Sequence, residues 1–139
     1  ALYRLVQGML AHGAPLDGVG FQGHFLGGPP APEVVEEAAR RCGNLGLRVA
    51  LTEVDIPMGG GEAGPDEQRL LYYETLAACL RVPACEEVTF WGFTDRYTWL
   101  DDFLGYQTFP LPLDQNYEEK PAYEGIRDAL IERLAREPR

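Results

Sequence analysis

The sequence predicts an α/β fold of parallel strands with the face pattern of a (β/α) barrel, on three observations. Helical and extended stretches alternate along the 139 residues, which favours parallel strands joined by right-handed crossovers. The extended stretches begin apolar or small and end polar, as barrel strands do at an active-site rim. Three strands are legible, too few to close a barrel, and the helices between them cover one face of a sheet that needs cover on both.

Residues 2–12 carry Leu2, Leu5, Val6, Met9 and Leu10 at helical spacing and stop at Gly13 and Pro15. The helical pattern is already under way at Ala1, with no initiator Met and no capping residue, so the chain is expected to be cut from a longer one. Residues 17–25, DGVGFQGHF, read as a short strand. Pro32 suits a first helical turn, which Val34, Val35, Ala38, Ala39 and Cys42 extend to the turn between Gly43 and Gly46.

Residues 48–56, RVALTEVDI, are β-branched, short and bounded by Gly46 and Pro57, which makes them the clearest strand. A glycine-rich loop over residues 58–64 follows. Its Gly59 and Gly61 lack the G-x-x-x-x-G-K pattern and read as a flexible rim, not a phosphate cradle. Residues 65–80 are helical through Leu70, Leu71, Tyr73 and Leu76, and residues 87–95, EVTFWGFTD, form the third strand. A long aromatic loop over residues 96–119, with Tyr97 and Phe103 as packing residues, leads to a last helix. Pro121 opens it, and Tyr123, Ile126, Leu130 and Leu134 line it.

Composition narrows the function. Hydrophobic residues make up 45% and aromatics 11%, enough for a packed core and unlike a disordered chain. A net charge of −10 excludes a nucleic-acid partner, which demands a basic face, and is compatible with a neutral ligand such as a glycan. No apolar run approaches the roughly 20 residues that span a bilayer, so no membrane partner is expected. Neither a metal nor a cofactor is expected. Lys120 is the sole lysine among arginines and reads as compositional bias. Cys42 reads as a small buried hydrophobe. Cys79 and Cys85 flank Pro83 and are compatible with a local disulfide or with two free thiols.

Strand parity then locates chemistry. Gln22 and His24 share one face of the first strand. Glu53 and Asp55 are expected on the face of Val49 and Leu51, and Trp91 and Asp95 on that of Thr89 and Phe93. A purely structural sheet has little reason to set a Glu, a His and two Asp at three consecutive strand ends, so a functional site is expected there.

Four segments, FQGH (residues 21–24), LTEVDIP (51–57), TFWGFTDRYTW (89–99) and PLPLDQNYEEKPAY (110–123), in this order closely resemble the last three strands and final helix of family 10 xylanases. The resemblance implies a partial (β/α)8 TIM barrel, its sixth to eighth strands with their helices. Residues 1–139 are then the C-terminal portion of the catalytic domain, and the N-terminal half of the barrel is a missing partner. It implies a retaining endo-1,4-β-xylanase acting on xylan or xylo-oligosaccharide through a covalent intermediate on Glu53, with His24 and Asp55 as the orienting network. Gln22, Trp91 and Trp99 match residues around the sugar next to the scissile bond, whereas Asp95 either binds sugar or caps the loop. The segment CLRVPAC resembles a short disulfide loop of the family, which implies a Cys79 to Cys85 bridge. The family resemblance also implies a secreted protein.

The same resemblance requires an acid/base Glu in an Asn-Glu pair after the fourth strand, and no such pair occurs in the 139 residues. Glu33, Glu36, Glu37, Glu62 and Glu86 are expected on helices or loops and Glu87 at the start of the third strand, and none of them replaces it. The isolated chain is therefore expected to be inactive. Two rivals remain: a non-catalytic glycan-binding fragment, and another retaining barrel glycosidase acting on cellulose or mannan. The QGH, TEVD and WGFTD set argues against the latter.

Overall fold

The computed structural model describes residues 1–58 and 64–136; the rim glycines Gly59 and Gly61, and Glu62, lie outside the described residues. The elements run α1 (Leu2–Ala11), β1 (Gly18–His24), α2 (Pro32–Gly43), β2 (Arg48–Asp55), α3 (Pro65–Leu80), β3 (Cys85–Phe90), a 3-10 turn (Asp95–Tyr97), α4 (Leu100–Leu104) and α5 (Pro121–Arg136). The strands form one parallel sheet in the order β1-β2-β3, as the helix–strand alternation requires. The aromatic loop thus contains a 3-10 turn and a short helix that its irregular apolar spacing does not announce.

One face of the sheet carries the core. Val49, Leu51 and Val54 of β2 are buried with Val35, Ala39 and Cys42 of α2 and with Tyr72, Leu76 and Cys79 of α3. Cys42 is a free, buried thiol, and Cys79 is joined to Cys85 by a disulfide across the turn from α3 into β3. Strict alternation would have put Glu53 and Asp55 on this helix-covered face with Val49 and Leu51. The structure corrects that expectation. Gln22 pairs with Thr52 but His24 pairs with Asp55, and Leu51 pairs with Val88 but Val54 with Phe90, so at its C-terminal end β2 holds one more residue than either neighbour, whereas β3 holds the extra one earlier, between Cys85 and Glu87. The extra residue of β2 is a β-bulge at the strand end, and it re-aims the side chains after Thr52. Val54 returns to the core, while Glu53 and Asp55 point with Gln22 and His24 to the opposite face.

The third strand is also shorter than expected. It ends at Phe90, and Gly92, at φ 113°, turns the chain in a conformation that glycine adopts without strain. In α3 the core-facing aromatic is Tyr72, not Tyr73, and Leu70 is exposed. In α5 the buried stripe is Ala122, Gly125, Ile126 and Ala129, whereas Leu130 and Leu134 face out. These small residues let α5 lie directly on α3: a Cβ on Gly125 would sit 2.2 Å from the Arg69 carbonyl oxygen.

After α4 the chain runs back as a strap across the strand ends. The Pro110 carbonyl accepts from Ile56 N at 3.2 Å and the Thr108 carbonyl from Met58 N at 2.6 Å, just beyond β2. Leu113 N donates to the Phe93 carbonyl at 3.0 Å and its own carbonyl accepts from Asp95 N at 2.9 Å, just beyond β3. Buried Gln68 and Tyr72 of α3 donate to the Phe109 and Pro110 carbonyls from beneath. The strap satisfies backbone groups that the ends of a parallel sheet would otherwise leave orphaned.

Candidate active site

Gln22 and His24 alternate along β1 with Phe21, which packs on the core, and with Gly23. A Cβ on Gly23 would lie 2.9 Å from a Val54 methyl group, so only glycine lets β1 approach the bulge this closely. The bulge places Glu53 opposite these two side chains. Glu53 adopts φ 58°, the left-handed region, at a cost on the order of 1–3 kcal/mol that backbones carry mainly at functional sites.

The contacts form a chain. Gln22 Nε2 donates to Glu53 Oε1 at 2.9 Å, and His24 Nε2 meets Glu53 Oε2 at 3.0 Å. His24 Nδ1 meets Asp55 Oδ2 at 3.0 Å, and the Trp99 indole Nε1 donates to that same oxygen at 2.9 Å. Two N–H donations from one imidazole to two ionised carboxylates require both ring nitrogens to carry protons.

Burial divides the two carboxylates. Asp55 is 1% exposed, and its Oδ1 has no hydrogen-bond partner among the described residues. Burial pushes its pKa up, against the hydrogen bonds from Trp99 and His24 that pull it down. The Glu53 side chain keeps 25% of its surface open on the face away from the helices. Two aromatic rings flank His24. Trp91 and Trp99 stand edge-on to the His24 ring at 5.8 and 5.1 Å between centroids, and Trp91 is half exposed. Phe103 packs against Trp99 at 5.1 Å, and Tyr97 sits under Arg96 with its hydroxyl 3.3 Å from that of Tyr117.

Asp95 does not join this cluster. It is 3% exposed, with Oδ1 accepting from Leu111 N at 2.8 Å and Oδ2 from Lys120 Nζ at 2.8 Å. Buried and with both oxygens engaged inside the loop, it does not face a ligand, and of its two expected roles the loop-holding one matches the geometry. The side chains that support the site from below, Gln68, Tyr72, Asp101 and Lys120, were not legible as site residues in the sequence; a polar residue at a core-facing helix position, Gln68, was the one available signal.

The family model described as Glycosyl hydrolase family 10 matches residues 1–129. An endo-1,4-beta-xylanase A of Phanerodontia chrysosporium is 38% identical over 128 residues, covering 91% of this chain and 31% of that protein. Native xylanase 10B from Thermotoga maritima superposes with a TM-score of 0.87 at 31% identity, over 98% of this chain and 43% of that one. Xylanase 10B from Thermotoga petrophila RKU-1, solved in complex with xylobiose, gives 0.87 at 29% identity, over 96% of this chain and 42% of that one. This chain therefore spans between about a third and two fifths of the length of the proteins it matches, and its α/β fold is that of the C-terminal part of their (β/α)8 barrel.

Proposed function

We propose that this chain, which belongs to glycosyl hydrolase family 10, carries the nucleophile side of a retaining endo-1,4-β-xylanase, with Glu53 as the attacking carboxylate. One observation carries the reading: Glu53 is strained at φ 58°, held at both oxygens by Gln22 and His24, and partly open to solvent beside an imidazole that two tryptophan rings meet edge-on. A nucleophilic carboxylate must be ionised and aimed. Contacts at both oxygens fix the side chain, which removes freedom that would otherwise oppose attack on the anomeric carbon. Attack forms the Glu53–sugar ester as the bond to the leaving oxygen breaks, and water then cleaves the ester with net retention.

Sugar rings present apolar C–H faces, and Trp91 and Trp99 offer planes for them beside the nucleophile, with Gln22 as a polar neighbour. The xylobiose bound to the similar Thermotoga petrophila enzyme supports a xylo-oligosaccharide as ligand. A non-catalytic glycan-binding role would use the same face, and cellulose or mannan would present the same ring chemistry; the names of the relatives favour xylan. The disulfide fits an oxidising compartment and supports secretion.

The mechanism also needs an acid on the leaving oxygen, with its carboxyl about 5–5.5 Å from the nucleophile. Asp55 has the raised proton affinity of such an acid but the wrong surroundings. It is buried, and its Oδ2 already accepts from His24 and Trp99, so no leaving group reaches it. We assign the acid to the N-terminal half of the barrel, a partner of residues 1–139.

The test is xylan hydrolysis by the purified chain alone and with the N-terminal barrel segment of a relative added in trans. Without the acid a factor of roughly 10²–10⁴ is lost, and lost substrate positioning adds to it. The chain alone is expected to release no reducing ends at an enzyme-like rate, the mixture to recover activity on xylan over cellulose and mannan, and Glu53→Gln to abolish it. Robust hydrolysis by the chain alone, or recovered activity that survives Glu53→Gln, would overturn the assignment.

A further inference from the structure

Every basic side chain outside the two histidines is arginine except Lys120, and the structure gives that exception a reason. The Lys120 side chain is only 10% exposed, and its Nζ donates to Asp95 Oδ2 at 2.8 Å, to the Phe109 carbonyl at 2.8 Å and to the Leu111 carbonyl at 2.7 Å. An ammonium has three N–H bonds in a tetrahedral arrangement, and here each finds an acceptor. A planar guanidinium, larger and with five donors in a fork, matches neither the space nor the directions. Asp95 completes the grip by accepting from Leu111 N with its other oxygen. Phe109 lies at φ 45°, and its carbonyl takes donors from both Gln68 and Lys120, which hold this left-handed residue in place.

What is gripped matters for the site. The Pro110 carbonyl, between the two that Lys120 holds, accepts from Ile56 N, the amide directly after Asp55. Thr108, next along, donates from its amide and its hydroxyl to Asp101 Oδ1 at 2.8 and 2.7 Å, and Asp101 lies on α4 two residues after Trp99. One strap therefore holds both ends of the hydrogen bond from Trp99 to Asp55.

We infer that Lys120 is a positioning residue of the candidate site, clamping the strap over residues 108–111 so that the Trp99 indole and the Asp55 carboxylate meet at 2.9 Å. The inference takes its catalytic meaning from the proposed function, but the geometry it predicts is independent of hydrolysis. Burial lowers the Lys120 pKa and raises that of Asp95, and the contact between the two opposes both shifts. Removing the ammonium leaves a buried carboxyl short of a partner and two strap carbonyls short of a donor.

The chain holds two tryptophans, so its proton–nitrogen NMR spectrum contains two indole N–H signals, assigned by Trp91→Phe. In Lys120→Met the Trp99 signal is expected to move toward that of a water-exposed indole and to exchange with solvent at least about tenfold faster, with Trp91 unchanged. Lys120→Arg, which keeps a cation beside Asp95 and so favours folding, is expected to show the same loss in smaller degree. Asp101→Ala, cutting the strap from the Trp99 side, is expected to reproduce it. Arg81→Met removes ion pairs to Glu36 and Glu132 in the helix layer and controls for simple destabilisation. A Trp99 signal unmoved in the folded Lys120 variants, or moved as far by Arg81→Met, would overturn the inference. If the indole responds as expected while the reconstituted barrel never cleaves xylan, the proposed function fails and the positioning role stands.

Discussion

The Trp99 indole and the His24 imidazole donate to the same oxygen, Asp55 Oδ2, at 2.9 and 3.0 Å. A ring suited to stacking on sugar is thereby wired, through one buried carboxylate, to the imidazole that holds Glu53. The loop that carries Trp99 is thus linked to Glu53 through Asp55 and His24.

Trp99→Phe keeps an aromatic plane and deletes the donor. A hydrogen bond to a charged group contributes about 1.5–3 kcal/mol, and Asp55, already short of a partner at Oδ1, is left with His24 alone. Urea unfolding is expected to show a loss of this order, larger than that of Trp91→Phe, whose ring edge only contacts His24. Equal losses for the two variants would show that the shared oxygen carries no special weight.

The raised pKa of Asp55 makes a statement about pH. Its folded form holds a proton more tightly than the unfolded chain does, so its contribution to stability is complete below the ordinary carboxyl value of 3.8 and is lost as pH rises through the raised folded value. Measured against pH, the melting temperature of the wild-type chain should therefore fall relative to that of Asp55→Asn across that window. A difference that stays constant, or grows in favour of the wild type with rising pH, would mean that the hydrogen bonds outweigh burial.

The approach of α5 to α3 predicts a severe effect from a small change. In Gly125→Ala the new methyl carbon would lie 2.2 Å from the Arg69 carbonyl oxygen, backbone that cannot swing aside. The helices must separate, disturbing Gln68 and Tyr72, which share α3 with Arg69 and support the strap. A loss of about 1–3 kcal/mol is expected on unfolding, where alanine in an open helix would stabilise. A neutral or stabilising outcome would contradict the close packing.

Unpaired edges on β1 and β3, and exposed Leu2, Leu5 and Met9 on α1, make the isolated chain prone to association. Light scattering is expected to show dimers or larger species that disperse when the N-terminal barrel segment is added. A stable monomer at high concentration would count against a barrel interface on these surfaces.

The legible and illegible parts of this molecule differ physically. Alternating β-branched runs and proline-initiated helices are local signals, so all three strands and the long helices could be read in order. The candidate-site cluster of Gln22, His24, Glu53 and Asp55 was legible because polar groups at strand ends are anomalous. Their shared face was not derivable from parity, since a bulge is one residue of disagreement between strands and leaves no mark on β2 read alone. The buried stripe of α5 was hidden for another reason: close helix contact selects Gly125 and Ala129, while the larger Leu130 and Leu134 remain outside. Lys120 read as compositional bias, and Asp95 stayed open between a sugar ligand and a loop cap, because only the folded strap brings three acceptors around one ammonium.

The most direct test of the central claim is covalent trapping of the nucleophile. The chain, combined with an N-terminal barrel segment that restores turnover, would be incubated with an aryl xylobioside fluorinated at the 2-position of the reacting sugar. Fluorine slows both formation and hydrolysis of the ester, and a good aryl leaving group speeds formation alone, so the intermediate accumulates. Peptide mass spectrometry is expected to find the sugar on Glu53, with no label in Glu53→Gln. A label on another carboxylate, or time-dependent inactivation that persists in Glu53→Gln, would contradict the account.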